Sequence, residues 1–299
     1  MGNFDGLHLG HAALIADARD RARAAGAPAA VLTFEPHPRS VFMPDGEPFR
    51  LTPFRVKERV IAALGVDLLF VQHFDADFAK KSAESFIEEV MLGMIGLSHI
   101  VVGHDCTFGN RRRGTAELLT AAGRQYGFGV SVVEPVRGPG GAVYSSTHIR
   151  ELLRSGRPRE AAVQLGRDWE IDGRVATGDR LGRTIGFPTA NLWLGEYLRP
   201  AYGVYAVRVS GDGPDDPLGG RTADGVVNIG LRPTVGGSNE PRLEAHLFDT
   251  DADLYGRHLR VRLVHFIRPE RKFAGLDALK AQIAADAARA RAILGAAAS

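Results

Sequence analysis

Along the first half of the chain the hydrophobic positions keep changing period. Stretches with apolar residues at helical spacing run over residues 10–25, 55–64, 84–95 and 115–126. Each is followed by a short, continuously apolar run: Ala30–Phe34, Leu68–Val71, Ile100–Val102 and Val130–Val133. Apolar runs without alternation suit strands covered on both faces, and helices set between them imply parallel βα units. The pattern predicts an α/β, Rossmann-like domain.

After Leu165 the period shortens. Residues 173–176, 203–209, 225–229, 243–248 and 259–266 read as strands separated by Gly, Pro and Asp turns. Alternation at these intervals predicts a small antiparallel β-barrel or sandwich. Residues 276–294 return to helical spacing, so a C-terminal helix should cap it. Gly156 and Pro158 mark the expected boundary, giving domains 1–157 and 158–299. The length of 299 residues fits two domains or one large barrel and does not choose between them.

Composition narrows the classes. With 44% hydrophobic and 24% charged residues the chain is ordinary for a globular protein. The net charge of +2, from 37 basic and 35 acidic side chains, argues against a nucleic-acid partner, which needs a concentrated basic face. The run Arg111-Arg112-Arg113 is a candidate phosphate contact or a solvated loop. A single cysteine, Cys106, rules out an intrachain disulfide and fits a reducing compartment. No apolar run reaches the roughly 18 residues of a membrane span. The opening residues carry no basic-then-apolar signal, so the cytoplasm is the expected location.

Two segments carry candidate chemistry. The first, Gly2-Asn3-Phe4-Asp5-Gly6-Leu7-His8-Leu9-Gly10-His11, is glycine-rich and runs directly into a helix. A helix N-terminus offers free N–H groups and a positive dipole end, which suits phosphate. His8 and His11 lie three apart and can face one point from the first turn. There they could stabilise charge building on an α-phosphate, with Gly10 allowing close approach of a nucleotide. An isolated pair would more readily cap a helix. However, Ser145-Ser146-Thr147-His148-Ile149-Arg150 stands at the far end of the same domain. Hydroxyls opening a helix, with an arginine one turn in, can clamp a triphosphate.

The second segment runs from Gly178 through Gly182 and Gly186 to Thr189 and Asn191. Its glycines could wrap phosphates with backbone N–H groups, although it lacks the Gly-Lys-Ser/Thr ending of a Walker A loop. Thr189 and Asn191, two apart, point the same way in an extended segment. Their neutral oxygens could hold Mg²⁺ while the nucleotide supplies the charge. A hairpin turn bonding its own backbone fits these residues equally well.

The combination of His8-Leu-Gly10-His11 with Ser145-Ser-Thr147 and Arg150 resembles the HxGH nucleotidyltransferase superfamily. Thr33-Phe-Glu-Pro-His-Pro38, Phe78-Ala-Lys-Lys-Ser-Ala-Glu84 and Val101-Val-Gly-His-Asp-Cys-Thr-Phe-Gly109 narrow the likeness to the FAD synthetase module of the bacterial bifunctional riboflavin kinase/FAD synthetase family. Gly186-Phe-Pro-Thr-Ala-Asn191 is similar to the hallmark of that family's riboflavin kinase module. Gly203-Val-Tyr-Ala206, Val227-Asn-Ile-Gly-Leu-Arg-Pro-Thr234, Leu243-Glu-Ala-His-Leu247 and Arg268-Pro-Glu-Arg-Lys-Phe273 follow in order. The resemblance covers nearly the whole chain.

The resemblance implies ATP-dependent phosphorylation of riboflavin to FMN, then adenylation of FMN to FAD with release of pyrophosphate. It implies Glu244 as the catalytic base of the kinase, with Mg²⁺ at Thr189 and Asn191. A carboxylate on a strand between Leu243 and Ala245 is fixed in direction and can take a proton from an attacking hydroxyl. His246 shares its face. For adenylylation, His8, His11 and Arg150 are the implied catalytic residues. The implied nucleotide contacts are Gly2, Asn3, Phe4, Asp5, Gly10, Ser146 and Thr147, with Gly178, Gly182 and Gly186 in the kinase. Flavin is expected at Asp105, Phe108 and Arg232. The implied partners are the small molecules riboflavin, FMN and ATP, with neither nucleic acid nor membrane.

Two departures qualify the likeness. The family usually has Asp-Phe where Asp105-Cys106 stands, which removes aromatic surface where flavin is expected. Family members also carry an apolar strand immediately before the Gly-Asn-Phe-Asp segment, whereas this sequence begins at Met1-Gly2. Either the adenylyltransferase half is weakened or inactive, leaving a riboflavin kinase, or the coding start lies upstream.

Overall fold

The computed structural model describes residues 1–138, 140–176, 189–213, 216–233 and 239–296, excepting the side chains of residues 232, 233, 239 and 240. The chain forms two compact units that do not follow one cut in the sequence: Met1–Glu47 with Thr52–Ser146, and Pro48–Leu51 with Thr147 onward.

The first unit holds parallel βα units, as the changing period predicts. Helix α1 (Leu9–Ala25) leads into β1 (Ala30–Glu35), and α3 (Phe54–Ala63) into β2 (Leu68–His73), after a short α2 (Pro38–Phe42). Helix α4 (Ala83–Ser85) runs on as a π-helix over Phe86–Ile95 and precedes β3 (His99–Gly103). Helix α5 (Ala116–Tyr126) precedes β4 (Gly129–Val133). Strands β1 and β2 pair in parallel, as do β3 and β4, but the two pairs are separate two-stranded sheets. Between them lies the start of the chain. The Gly2 N–H donates to Leu32 O on β1 at 3.1 Å, and the Met1 ammonium to Val101 O on β3 at 3.4 Å. Beside Met1 is a cavity of about 590 Å³ lined by Val31, Leu32, Met91, Ile100 and Val101 among others.

Two cores pack within this unit. Phe34, Phe86, Met91, Val102, Phe108 and Leu119 belong to one; Phe4, Leu7, Ile15, Val31 and Ile61 form the other.

The second unit opens with α6 (Ser146–Arg154) and α7 (Pro158–Leu165). Gly156 adopts a left-handed φ of 69° between them, and Pro158 begins α7, where its missing N–H costs nothing. Then come β5 (Trp169–Arg174), β6 (Ala190–Trp193), β7 (Gly203–Gly211), β8 (Thr222–Pro233), β9 (Asn239–Leu247) and β10 (His258–Pro269). They order as β5-β10-β7-β8-β9-β6, all antiparallel. Ala176, just past β5, bridges to Asn191 on β6, so the sheet nearly closes into a barrel. The sequence pattern did not reveal β6, which is only four residues long.

The C-terminal helix α8 (Leu276–Ala296) buries Ala290 and Leu294 against Val204, Ala206, Val226, Val264 and Ile267. A two-pronged ion pair from Arg268 to the buried Asp286 fixes its register on β10.

Residues 48–51 are built into this second unit. Arg50 N donates to Glu196 O, Leu198 N to Arg50 O at 2.8 Å, and the Trp169 indole to Leu51 O at 2.8 Å. Leu51 is fully buried. Leu51→Ala is therefore expected to destabilise the barrel unit by about 2–5 kcal/mol, the usual cost of such a cavity. Scanning calorimetry of the full chain, with riboflavin phosphorylation followed after heating, checks this. An unchanged barrel transition would contradict it.

Candidate active sites

The loop ahead of α1 takes a shape that few side chains tolerate. Phe4 and Leu7 have φ of 49° and 46°, and Gly6 has 87°. The two non-glycine positions each cost on the order of 1–3 kcal/mol, so the surroundings must enforce them. Asp5 accepts from Thr52 N at 3.0 Å, Gly6 N donates to Thr52 Oγ1 at 2.9 Å, and Ser146 Oγ donates to Asp5 O at 2.7 Å.

The loop delivers His8 as the N-cap of α1. Its Nδ1 accepts from the His11 N–H at 3.3 Å, and the two imidazoles stack with centroids 3.7 Å apart. Phe4 meets His11 edge-on at 5.2 Å. The helix start thus brings together both histidines expected to act on an α-phosphate.

The other residues expected at the nucleotide lie around this loop. Phe4 and Asp5, expected at the nucleotide, are buried (3% exposed each), and both serve to hold the loop. Asn3 is exposed, and Gly2 uses its N–H on β1. Gly10, expected to admit a nucleotide, faces the His8 ring: a Cβ there would lie 3.0 Å from Cε1 and Nδ1. Gly10→Ala should therefore raise helix stability by up to about 1 kcal/mol while displacing the imidazole. FMN adenylylation is expected to fall about 10-fold or more, since small misplacements are costly in rate. A melting curve and a rate measured on one preparation separate the two effects.

Ser146 belongs to the first unit, while Thr147 and Arg150 fall in the second. Arg150 Nε donates to Phe49 O at 3.0 Å, and its guanidinium lies 5.6 Å from the Phe49 ring centroid. Asp105 is exposed, with His104 Nδ1 3.9 Å from its carboxylate. Phe108, expected against flavin, packs in the core beside Phe86 with centroids 5.6 Å apart. Burial pushes the Cys106 thiol above its ordinary pKa. Arg111 and Arg112 are exposed in left-handed conformations, and Arg112 Nε donates to Thr107 Oγ1 at 3.0 Å.

In the barrel the register does what spacing alone could not. On β9, Glu244 lies directly opposite Asn191 of β6 on one side and Asn228 of β8 on the other. All three are half-buried, while Leu192, Val227, Ile229, Leu243 and Ala245 are buried. Side chains in register on neighbouring strands share a face, so Glu244 sits in a polar row outside the core. Asn228, which the sequence reading did not single out, donates to Glu270 Oε1 at 3.2 Å. Its signal was available: one polar residue between buried Val227 and Ile229.

Thr189 lies just before β6 and is half-buried. Gly178, Gly182 and Gly186 lie outside the described residues, and Arg232 is placed on β8 by its backbone alone.

Comparison with known proteins finds both modules. A family model described as FAD synthetase matches residues 1–148, and one described as riboflavin kinase matches residues 165–294. The bifunctional riboflavin kinase/FMN adenylyltransferase of Escherichia coli (strain K12) is 44% identical over 295 residues, covering 99% of this chain and 92% of that protein. Its namesake in Bacillus subtilis (strain 168) is 38% identical, covering 96% and 89%. A crystal structure described as a macrolide-efflux protein from Streptococcus pneumoniae aligns with a TM-score of 0.81 at 33% identity, covering 96% of this chain and 90% of that one. No helix among the described residues is long and apolar enough to cross a membrane. With both modules matched in order and identity sustained along their length, the chain belongs to the bifunctional riboflavin kinase/FMN adenylyltransferase family.

Proposed function

We propose that this protein phosphorylates riboflavin on its ribityl 5′-hydroxyl with ATP and then adenylates the FMN to FAD, releasing pyrophosphate. The observation that carries the reading is the register of Glu244 between Asn191 and Asn228, which sets a directed carboxylate beside neutral oxygen donors. Glu244 takes the proton of the attacking hydroxyl, and the barrel strands hold it in place. Thr189 and Asn191 would hold Mg²⁺, whose hard-oxygen preference their side chains suit. Bound there with ATP, the cation would offset phosphate charge. Gly178, Gly182 and Gly186 are assigned to the same phosphates.

In the adenylyltransferase, the FMN phosphate attacks the α-phosphate of ATP and pyrophosphate leaves with its bond electrons. His8 and His11 stabilise the developing charge from the start of α1. Ser146, Thr147 and Arg150 are assigned to the leaving phosphates and Asp105 to the flavin of this step, while Arg232 is assigned to flavin in the kinase. Phe108 supports its loop from the core. We assign the first activity to residues 158–299 and the second to residues 1–157, with small-molecule partners only and a cytoplasmic location.

The test is chromatographic separation of flavins after incubation with riboflavin, ATP and Mg²⁺. FMN and FAD together support both assignments. FMN alone restricts activity to the barrel. Neither product from folded, flavin-binding protein would overturn the role of Glu244.

A further inference from the structure

Beneath the Gly2–His8 loop lies an ion pair that neither chemical step uses. Lys57 on α3 is fully buried, and its ammonium reaches Glu35 Oε1 at 2.7 Å. A buried charge pair is a poor stabiliser compared with apolar side chains of similar volume, so its presence points to a geometric task. The same ammonium donates to Thr33 Oγ1 at 3.4 Å, and Thr33 Oγ1 donates to Asn3 O at 3.4 Å. Lysine has only donors, whereas a hydroxyl has one proton and two lone pairs. Beside Lys57 the Thr33 oxygen must accept, which leaves its proton directed at the loop carbonyl. Glu35 in turn fixes the ammonium.

Both bonds through Thr33 are long, so the relay acts by direction more than by strength. It grips the loop at residue 3, where Thr52 and Ser146 grip residues 5 and 6. The left-handed Phe4 lies between these anchors and the left-handed Leu7 directly after them, ahead of His8.

We infer that Lys57 and Glu35, acting through Thr33, are positioning residues for adenylyl transfer that hold the strained loop in the shape that aims His8 and His11. This rests on the adenylyltransferase reading above.

The test uses the full-length chain carrying Thr33→Val, which keeps the side-chain shape and leaves the ion pair intact. Thr33→Ser is the rescue, and Lys57→Met and Lys57→Arg form a second pair. Backbone amide exchange at residues 4–8 is read alongside FMN adenylylation, with riboflavin phosphorylation in the same preparation as internal control. Thr33→Val is expected to speed loop exchange about 10-fold or more, as for a local opening made easier. It should lower kcat for FMN adenylylation about 10-fold, with KM for ATP within about threefold and the kinase unchanged. Thr33→Ser should restore both. Lys57→Met should match Thr33→Val in kcat, and Lys57→Arg should recover part of it. If Thr33→Val keeps both loop exchange and kcat within about twofold of the parent, the inference is overturned. Should the parent itself make no FAD from FMN, the functional reading fails, and loop exchange still decides whether the relay holds the loop.

Discussion

Glu244→Gln should abolish most riboflavin phosphorylation while leaving the conversion of supplied FMN to FAD intact. Glutamine fills the same volume and can still bond to neighbours, so strand β9 and its pairing with Asn191 and Asn228 should persist. What disappears is the ability to accept a proton. A positioned general base contributes roughly 10²–10⁴ in rate, so kcat should fall by that range. KM for riboflavin should change little, because the lost interaction acts in the transition state. Initial rates of FMN formation, with FMN adenylylation as control, check the prediction. A variant within about threefold of the parent would show that the carboxylate only orders the polar row, leaving catalysis to positioning of ATP.

Joining an apolar, extended segment to the amino group of Met1 should stabilise the first unit and remove a pH dependence near neutrality. Strands β1 and β3 belong to separate sheets, joined there among the described residues by the Gly2 and Met1 contacts alone, and residues of both line the cavity of about 590 Å³. Backbone groups at strand edges want partners, and the lining of Val31, Leu32, Ile100 and Val101 suits apolar side chains on both faces. Burying three Val or Ile side chains contributes about 5–8 kcal/mol, opposed by about 1–2 kcal/mol per residue ordered. A net gain of about 2–4 kcal/mol raises the melting temperature by roughly 5–15 °C.

The pH effect follows from the amino group itself. Burial holds the Met1 ammonium below the ordinary α-amino pKa. Between the lowered and the ordinary value the unfolded chain binds the extra proton, so stability rises with pH across that window and is lost as pH falls through it. An amide in place of the ammonium abolishes the dependence. Melting curves at several pH values, with and without the extension, decide the matter. Coincident curves would mean that the edges are already satisfied.

Much of the fold was legible because its periods are clean. The apolar runs predicted β1 to β4 as parallel strands, and the alternating second half predicted the antiparallel barrel. Strand β6 escaped because four residues give too short a period. The insertion of residues 48–51 into the second unit escaped because local pattern carries no information about which core receives Leu51.

For the sites, the sequence by itself determined which chemistry was available: two histidines at a helix start, a carboxylate on a strand, and hydroxyl and amide oxygens two apart. Those follow from residue type and short-range spacing, which the backbone obeys before any packing. Tertiary structure alone decided the neighbours. The barrel register brought Glu244 level with Asn191, 53 positions earlier in the numbering. Core packing decided that Phe4, Asp5 and Phe108 are buried, which residue type and spacing left open. The Lys57–Glu35–Thr33 relay joins two elements whose separation in sequence hides them from any local reading. Contacts of that kind exist only once the chain has closed on itself.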